Sequence, residues 1–78
     1  MRVLLFAGLA ETLGCREIRW PDRPLPATVA GFEAELRERE PRLRTARFRV
    51  AVNRCYARAD DTLSPADEVA LIPPVSGG

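Results

Sequence analysis

The sequence predicts an α+β fold in which a mixed sheet of about five strands packs on one main helix. Two observations lead to this expectation. Short β-prone apolar segments open and close the chain, and a longer segment between them repeats its apolar residues at helical spacing. Strands, one packed helix and then further strands make an arrangement with the helix on one face of the sheet. The length of 78 residues is that of a single small domain.

The first half of the chain predicts two strands and a short helix. Residues 3–6 are apolar on both faces, a pattern that favours a central strand buried on both sides. A short helical segment over 9–13 follows and ends at Gly14, because glycine readily adopts the left-handed conformation of a helix end. Ile18 and Trp20 then alternate with charged side chains, which predicts a half-buried strand.

The main helix has the clearest pattern in the sequence. Thr28 is a suitable N-cap, and Val29, Phe32 and Leu36 recur at helical spacing. Acidic residues stand four positions before arginines along the exposed side, which is the favourable order for ion pairs and typical of a solvated face. The helix is expected to end just before Pro41, because the residue preceding a proline avoids helical geometry.

The second half predicts a hairpin and a last strand. Residues 48–52 alternate as a strand with one apolar face, and a turn at 53–54 leads to a return strand over 55–57. Leu63 is expected to contact the core from the following loop. The last strand covers 69–72 and is apolar throughout, so it is again expected to be central.

The strands that are apolar throughout are therefore the first and the last. Placed side by side in the middle of the sheet they run parallel, and this is the topology of the ubiquitin-like β-grasp fold. Residues 1–72 are expected to form this domain. Residues 73–78 are expected to form an extended C-terminal tail that ends in two glycines.

The composition excludes several kinds of chemistry. Histidine, the commonest general base and metal ligand, is absent. All 12 basic residues are arginine, so neither Schiff-base chemistry nor amide conjugation on a lysine side chain is available to this sequence. A chain with so few catalytic groups is not expected to be an enzyme by itself.

The charge and the cysteine content also limit the classes of partner and ligand that we expect. Twelve basic and 11 acidic residues leave a net charge of +1, which lacks the basic footprint of a nucleic-acid-binding protein. No apolar run approaches the about 20 residues that span a bilayer. Cys15 and Cys55 lack metal-ligand spacing, and we expect two small buried residues in a cytoplasmic protein, although a disulfide between them stays open. We expect no metal site, nucleic acid, membrane or permanently bound cofactor.

The C-terminal sequence PPVSGG points to a specific chemistry. Two consecutive prolines do not pair as a central strand and favour extended backbone, so the chain is expected to leave the sheet there. Gly77 and Gly78 have no Cβ, so they suit passage through a narrow channel. A carboxylate delivered in this way can react with ATP to give an acyl adenylate. A sulfur nucleophile can then displace AMP and leave a terminal thiocarboxylate.

Four segments together resemble one family. They are VLLFA at 3–7, ETLG at 11–14, VAVN at 50–53 and DEVALIPPVSGG at 67–78. In this order they resemble the small subunit of molybdopterin synthase, the sulfur carrier of molybdenum cofactor synthesis. The resemblance covers essentially the whole chain, and the terminal block is its most specific part. Ala10 departs from the pattern, because relatives often carry arginine there, which concerns one polar contact with a partner.

The resemblance implies a β-grasp fold and a non-catalytic carrier role. Gly78 would be adenylated with ATP by a ubiquitin-activating-type adenylyltransferase and thiocarboxylated with sulfur from a sulfurtransferase. The tail, with Ser76 and Gly77, would then insert into the large subunit, which holds the catalytic residues. There, two sulfur transfers to cyclic pyranopterin monophosphate would build the molybdopterin dithiolene in a complex of two small and two large subunits.

The resemblance also suggests a partner-binding surface. Its candidate residues, by position, are Phe6, Ile72, Pro73, Pro74 and Val75. Packing in the core is an equally good explanation for Phe6 and Ile72 at this point, because both lie in strands that are apolar throughout.

Three alternative functions stay open. A related β-grasp carrier delivers sulfur to thiamine thiazole, to a cysteine precursor or to tRNA. A ubiquitin-like modifier forms an amide with lysines of other proteins and has the same terminus. The third alternative is a β-grasp binding module in which the tail has no function. The adjacent prolines at 73–74 and the chain length favour the molybdopterin carrier.

Overall fold

The computed structural model describes residues 1–74 of the chain. Five strands and two α-helices follow one another, with one 3₁₀ helix between the second α-helix and the third strand. In chain order they are β1 (Arg2–Leu5), α1 (Ala7–Leu13), β2 (Glu17–Arg19), α2 (Val29–Arg39), the 3₁₀ helix (Pro41–Leu43), β3 (Arg49–Val52), β4 (Cys55–Tyr56) and β5 (Glu68–Ile72).

The five strands form one mixed sheet in the order β2-β1-β5-β3-β4. The central strand β5 runs parallel to β1, with Val3 opposite Val69 and Leu5 opposite Leu71. On its other side β5 pairs with β3 in antiparallel fashion. The predicted α+β class, the parallel pairing of first and last strands and the β-grasp topology are therefore confirmed.

Helix α2 forms where the sequence predicts it. The Thr28 hydroxyl accepts a hydrogen bond from the backbone N–H of Gly31 at 3.2 Å, which caps the first turn. Val29, Phe32 and Leu36 are all buried, so the predicted apolar stripe is the face that packs on the sheet. The helix ends at Arg39, as the sequence position of the following proline requires.

The core lies between α2 and one face of the sheet. Trp20 packs edge-on against Phe32, with ring centroids 4.9 Å apart. Leu63 packs against this cluster from its loop, as predicted. The 3₁₀ helix was not predicted from the sequence, and it contributes Leu43 to the interior. The largest fully buried side chains are those of Phe32, Met1, Leu36, Leu43, Leu71, Val3 and Val69.

The hairpin between β3 and β4 was also predicted. Asn53 and Arg54 form its two-residue turn with φ of 50° and 70°, the left-handed geometry that suits tight hairpins. The Asn53 side chain donates to the Asp67 carboxylate at 3.0 Å and accepts from the Glu68 backbone N–H at 3.0 Å. These contacts fix the turn beside the first residue of β5.

One expectation about burial was wrong. β1 and β5 are buried on one face only, because α2 covers one side of the sheet and no other described element covers the opposite side. Phe6 lies beyond the end of β1 as the N-cap of α1, and 47% of its surface is exposed. Helix α1 accordingly begins at Ala7, two residues earlier than predicted, and ends at Gly14 with φ of 72° as expected.

The expectation for the cysteines was also wrong. Cys15 and Cys55 are both exposed and both free, so they are neither core residues nor joined by a disulfide. Cys15 lies in the loop after α1, and Cys55 is in the edge strand β4, where one side has no neighbouring strand to cover it.

Candidate functional site: the open face of the sheet and the start of the tail

The sheet face opposite α2 is the candidate site, and we call it the open face. Successive residues of a strand point to opposite sides, so the neighbours of the buried Val3 and Leu71 lie on this face. The strand pairings extend it across all five strands. The open face consists of Glu17 and Arg19 of β2, Arg2 and Leu4 of β1, Glu68, Ala70 and Ile72 of β5, Arg49 and Ala51 of β3, and Tyr56 of β4.

The middle of the open face is apolar. Leu4, Ala70 and Ile72 come from adjacent strands and are only half-buried. Phe6 stands at their edge, and with Tyr56 it is one of the exposed large apolar residues of the described chain. These side chains line a shallow concavity of about 400 Å³, whose other lining residues are Ala51, Arg54 and Glu68. Apolar side chains left exposed together in this way form a candidate binding surface.

Charged side chains border this apolar centre on one side. The Arg2 guanidinium lies 2.9 Å from a carboxylate oxygen of Glu17 and 3.5 Å from one of Glu68. The hydrogen bond from Arg2 is the main reason why the pKa of Glu17 lies below its ordinary value. Three strands are thus linked across the face by one arginine.

On the other side, Arg49 stacks over the Tyr56 ring with its guanidinium carbon 3.8 Å from the ring centroid. This is a close cation–π contact between β3 and β4. An apolar centre with a polar rim that includes arginine and tyrosine is the usual composition of a protein–protein interface.

The parallel pairing of β1 and β5 places the start of the tail beside Phe6. Leu5 lies opposite Leu71, so Phe6, which follows β1, and Ile72, the last residue of β5, lie at the same end of the two strands. Pro73 is half-buried and Pro74 is exposed, which is consistent with a chain that departs from the sheet at this point. The structure therefore places four predicted site residues together at this end of the strands, although it does not test their roles. They are Phe6, Ile72, Pro73 and Pro74. The other four, Val75, Ser76, Gly77 and Gly78, lie outside the described residues.

Ala7 holds the backbone that presents Phe6. Its φ of 49° falls in the left-handed region, which costs a residue with a side chain about 1–2 kcal/mol. This backbone turn ends β1 at Leu5, although the apolar run of the sequence continues to Phe6. Phe6 is consequently outside the sheet. Strained backbone of this kind is often found at functional positions.

Sequence reasoning missed most of the open face. Leu4 and Ala70 were taken as buried, and Tyr56 and Arg49 were not considered as site residues. The signal that identifies them is the alternation itself. Once Leu71 is assigned to the covered face, its neighbour Ile72 and every residue in register with Ile72 belong to the other face.

Residues 1–74 contain no group of three or more metal-ligating side chains that are close together. Over the same residues, neither α-helix has the length and apolar character needed to cross a bilayer. The features that the structure does assemble are an apolar surface, its charged rim and the start of the tail.

Comparison with known proteins identifies the family. The sequence model of the ThiS family matches residues 3–78, which is nearly the whole chain. This chain belongs to the ThiS family. The match includes both terminal glycines and all the residues of the open face except Arg2.

This ThiS-family chain is similar to two kinds of protein, a molybdopterin synthase sulfur carrier subunit and a small archaeal modifier protein. It is 34% identical over 85 residues to the human molybdopterin synthase sulfur carrier subunit, covering 100% of this chain and 93% of the human protein. It is also 34% identical to SAMP1 of Haloferax volcanii, a small archaeal modifier protein. That crystal structure superimposes with a TM-score of 0.80 and coverage of 100% and 98%.

A third relative supports the resemblance stated from the sequence. A protein from Pyrococcus furiosus described as molybdopterin converting factor subunit 1 is 26% identical, with 95% of each chain covered and a TM-score of 0.77. Together with the human relative, this match confirms that the ThiS-family chain is similar to the small subunit of molybdopterin synthase.

Proposed function

We propose that this chain is the sulfur carrier subunit of a molybdopterin synthase. The observation that carries the proposal is its identity of 34% with the human sulfur carrier subunit over the full length of the chain. The family match that reaches Gly78 supports the same conclusion, because the proposed chemistry takes place at that residue.

In the proposed reaction, the carboxyl group of Gly78 carries the sulfur, and this chain contributes no catalytic residue. Its carboxylate oxygen attacks the α-phosphate of ATP on an adenylyltransferase of the ubiquitin-activating type, and pyrophosphate leaves. A sulfur nucleophile supplied by a sulfurtransferase then attacks the carbonyl carbon, and AMP leaves. The thiocarboxylate passes its sulfur to cyclic pyranopterin monophosphate, and water replaces the sulfur on the carbonyl carbon, which restores the Gly78 carboxylate. Two such transfers make the dithiolene. ATP is used by the activating partner and is not a cofactor of the carrier.

The open face, with Phe6 and the start of the tail beside it, has the role of a docking surface in this proposal. Phe6, Ile72, Pro73, Pro74 and Val75 would contact the activating enzyme and the large subunit in turn. The half-exposed apolar centre gives each partner a surface to cover.

The tail over 73–78 is the part that enters the partner's active site. We propose that Ser76 and Gly77 occupy the approach to that site and that Gly78 reaches the reacting atoms. We propose, as the resemblance to molybdopterin synthase small subunits implies, that the large subunit holds the catalytic residues and that the working form has two small and two large subunits. We propose that this complex works in the cytoplasm, where ATP and reduced sulfur are available.

Reconstitution of sulfur transfer tests the proposal. The chain is combined with ATP, the adenylyltransferase, the sulfurtransferase, the large subunit and cyclic pyranopterin monophosphate, and molybdopterin is measured. Gly78→Ala is expected to lower the rate about 100-fold, because a Cβ at the reacting residue displaces the carbonyl in a narrow channel.

Gly31→Ala is the matched control for this experiment. It makes the same chemical change in α2, where the added Cβ would meet its nearest atom, the Thr28 hydroxyl oxygen, at an ordinary 3.5 Å. We expect it to leave the rate unchanged. A Gly78→Ala chain that transfers sulfur as fast as the Gly31→Ala chain contradicts the proposed role of Gly78.

A second candidate function is attachment to other proteins as a ubiquitin-like modifier. Its specific support is the match to SAMP1, which is as high in identity as the match to the human carrier. In that case an amine of a target protein takes the activated Gly78 carbonyl. Peptide mass spectrometry of the host proteome would then find lysines linked to Gly78, whereas the carrier proposal predicts free chains that hold sulfur.

A further inference from the structure

The positive charge of the chain is concentrated in one segment. Residues 41–59 contain six arginines and no acidic residue, whereas the other residues contain six arginines and all 11 acidic residues. The net charge of +1 is therefore the balance of two regions of opposite charge. The positive segment includes β3, the hairpin turn and β4, which form one side of the open face.

Three arginines of the described chain stack on aromatic rings, and two of them also have an acidic partner. Arg37 pairs with Glu33 at 3.2 Å, and Arg39 pairs with Glu35 at 3.5 Å. The guanidinium carbons of these two arginines lie 4.4 Å and 4.7 Å from ring centroids, and the rings belong to Phe48 and Trp20. Both arginines are thus neutralised by glutamates of their own helix α2.

Arg49 is the third stacked arginine, and it has no such partner. Its guanidinium carbon lies 3.8 Å from the centroid of the Tyr56 ring. Among residues 1–74 the Arg49 side chain forms no ion pair, and residues 75–78 include neither Asp nor Glu. Stacking occupies the face of the guanidinium, so the N–H groups along its edge stay available to a ligand.

The position of Arg49 places it where a partner would cover it. The register of β3 with β5 sets Arg49 opposite Ile72, the last residue before the tail, on the open face. Both Arg49 and Tyr56 are exposed in the free chain. A protein that receives the tail and covers the apolar centre therefore also covers this guanidinium. A covered guanidinium without an anionic partner loses its hydration without compensation, which is strongly unfavourable.

The anion that suits this position is a carboxylate of the partner. In the proposed function ATP reacts at Gly78, which lies six residues beyond Ile72, about 20 Å along an extended chain. The phosphates of ATP are then out of reach of Arg49. A carboxylate of an Asp or Glu side chain accepts two parallel N–H bonds from the edge of a guanidinium, and the stack on Tyr56 already holds that edge in place.

We propose that Arg49, held on the Tyr56 ring, is the docking point for an Asp or Glu carboxylate of the protein that covers the open face. The inference rests on the proposed function, because it takes the large subunit as that protein. It specifies an apolar surface with a carboxylate on the β3 side. No matching charge is needed on the β2 side, because Arg2 is already paired with Glu17 and Glu68.

Titration calorimetry of the full chain with the large subunit tests the inference. Arg49→Glu reverses the charge at the docking point, and Arg44→Glu is the matched control. Arg44 is an exposed arginine of the same positive segment, but its carbonyl oxygen accepts a hydrogen bond from Arg37 of α2, so it lies on the α2 side of the sheet. Urea unfolding of each variant shows whether the fold is kept.

We expect Arg49→Glu to raise the Kd about 30-fold and Arg44→Glu to change it by no more than about twofold. Arg49→Gln, which removes the charge without reversing it, is expected to raise the Kd about tenfold. It should also make the Kd less sensitive to added NaCl than that of the unaltered chain, because one ion pair across the interface is gone.

Two results with the large subunit would overturn the inference. One is an Arg49→Glu chain that binds as tightly as the unaltered chain. The other is an equal rise in Kd for Arg44→Glu and Arg49→Glu, which would mean that only the net charge acts. Either result, obtained while the unaltered chain binds, contradicts the inference alone. An unaltered chain that does not bind the large subunit contradicts the proposed function and, with it, the inference.

A labelled single-stranded RNA is the second probe, because a positive segment could also contact phosphates. Its fluorescence anisotropy is measured with the unaltered chain and with Arg49→Glu at a salt concentration of about 0.15 M. We expect no binding of the RNA by either chain. Binding by the unaltered chain that Arg49→Glu abolishes would overturn the inference, because it would assign Arg49 to a nucleic acid.

Discussion

Both faces of the sheet carry apolar side chains near the middle, but the surroundings of the two faces differ. On β5, Val69 and Leu71 point to α2 and are fully buried, while Ala70 and Ile72 point the other way and are half-buried. The same division applies to Val3 and its neighbour on β1. The covered face thus forms the core, and the apolar side chains of the open face keep surface that a partner can still bury.

The difference separates stability from binding within one strand. A fully buried leucine contributes about 1.5–3 kcal/mol by leaving water, and its loss also creates a cavity. An apolar side chain on the open face gains only part of this in the free chain and the rest when a partner covers it. Truncating a residue on the covered face is therefore expected mainly to lower the stability of the free chain. Truncating its neighbour on the open face is expected mainly to weaken the binding of a partner.

The largest expected effect is the contrast between Leu71→Ala and Ile72→Ala. Leu71 is 0% exposed, so its truncation is expected to lower the free energy of unfolding by about 3 kcal/mol. Ile72→Ala is expected to lower it by about 1 kcal/mol, because part of the side chain is already in contact with solvent. Urea unfolding of both variants measures the contrast. Equal losses would mean that both faces are covered in the free chain.

A smaller effect on stability, with a clear effect on binding, is expected for Phe6→Ala. The ring is 47% exposed, so the free energy of unfolding should change by no more than about 0.5 kcal/mol. If Phe6 is an anchor of the interface, the Kd for the large subunit should rise about tenfold or more. Titration calorimetry with the large subunit measures this.

Leu25→Ala is the matched control for Phe6→Ala. Leu25 packs partly against the core from the loop before α2, so it lies off the open face. Its truncation is expected to lower stability and leave the Kd unchanged. A Kd that rises equally for both variants would count against a specific contact at Phe6.

The smallest expected effect is a loss of stability at acidic pH. Among residues 1–74 the covered face contains no buried polar or charged side chain, so it does not titrate, whereas the open face contains the Arg2–Glu17 pair. The hydrogen bond from Arg2 lowers the pKa of Glu17 in the folded chain. Its contribution to stability is therefore complete above the ordinary glutamate pKa of about 4.3 and is lost as the pH falls through the lower, folded value.

Glu17→Gln removes this titration and provides the test. Between neutral pH and pH of about 3, the unaltered chain should lose more of its unfolding free energy than the Glu17→Gln chain, with both measured by urea unfolding. Parallel curves for the two chains would show that the pair does not act on stability.

Much of the fold was predictable because local signals and the global arrangement agree. Thr28 caps a helix whose apolar residues share one face, and Gly14 ends the short helix with a left-handed conformation. The apolar first and last segments identified the parallel central pair. Leu43 was not predicted to be buried, because a 3₁₀ helix after a proline has no periodic pattern long enough to recognise.

The candidate site was only partly predictable. An apolar run shows that a strand avoids water, but it does not show whether the same chain or a partner covers each face. Phe6 belongs to that run by sequence and leaves the strand because Ala7 takes a left-handed conformation that alanine rarely adopts. The predicted roles of Ser76, Gly77 and Gly78 stay predictions, as do those of the four residues gathered at the edge of the sheet.

The most direct test of the sulfur carrier proposal is the mass of the C-terminal peptide after activation. The full chain is incubated with ATP, the adenylyltransferase and the sulfurtransferase, and the terminal peptide is sequenced by mass spectrometry, with a reaction that lacks ATP as the control. The account predicts one sulfur in place of one oxygen, located at Gly78 and dependent on ATP. An unchanged carboxylate at Gly78 with every component present and active would contradict it.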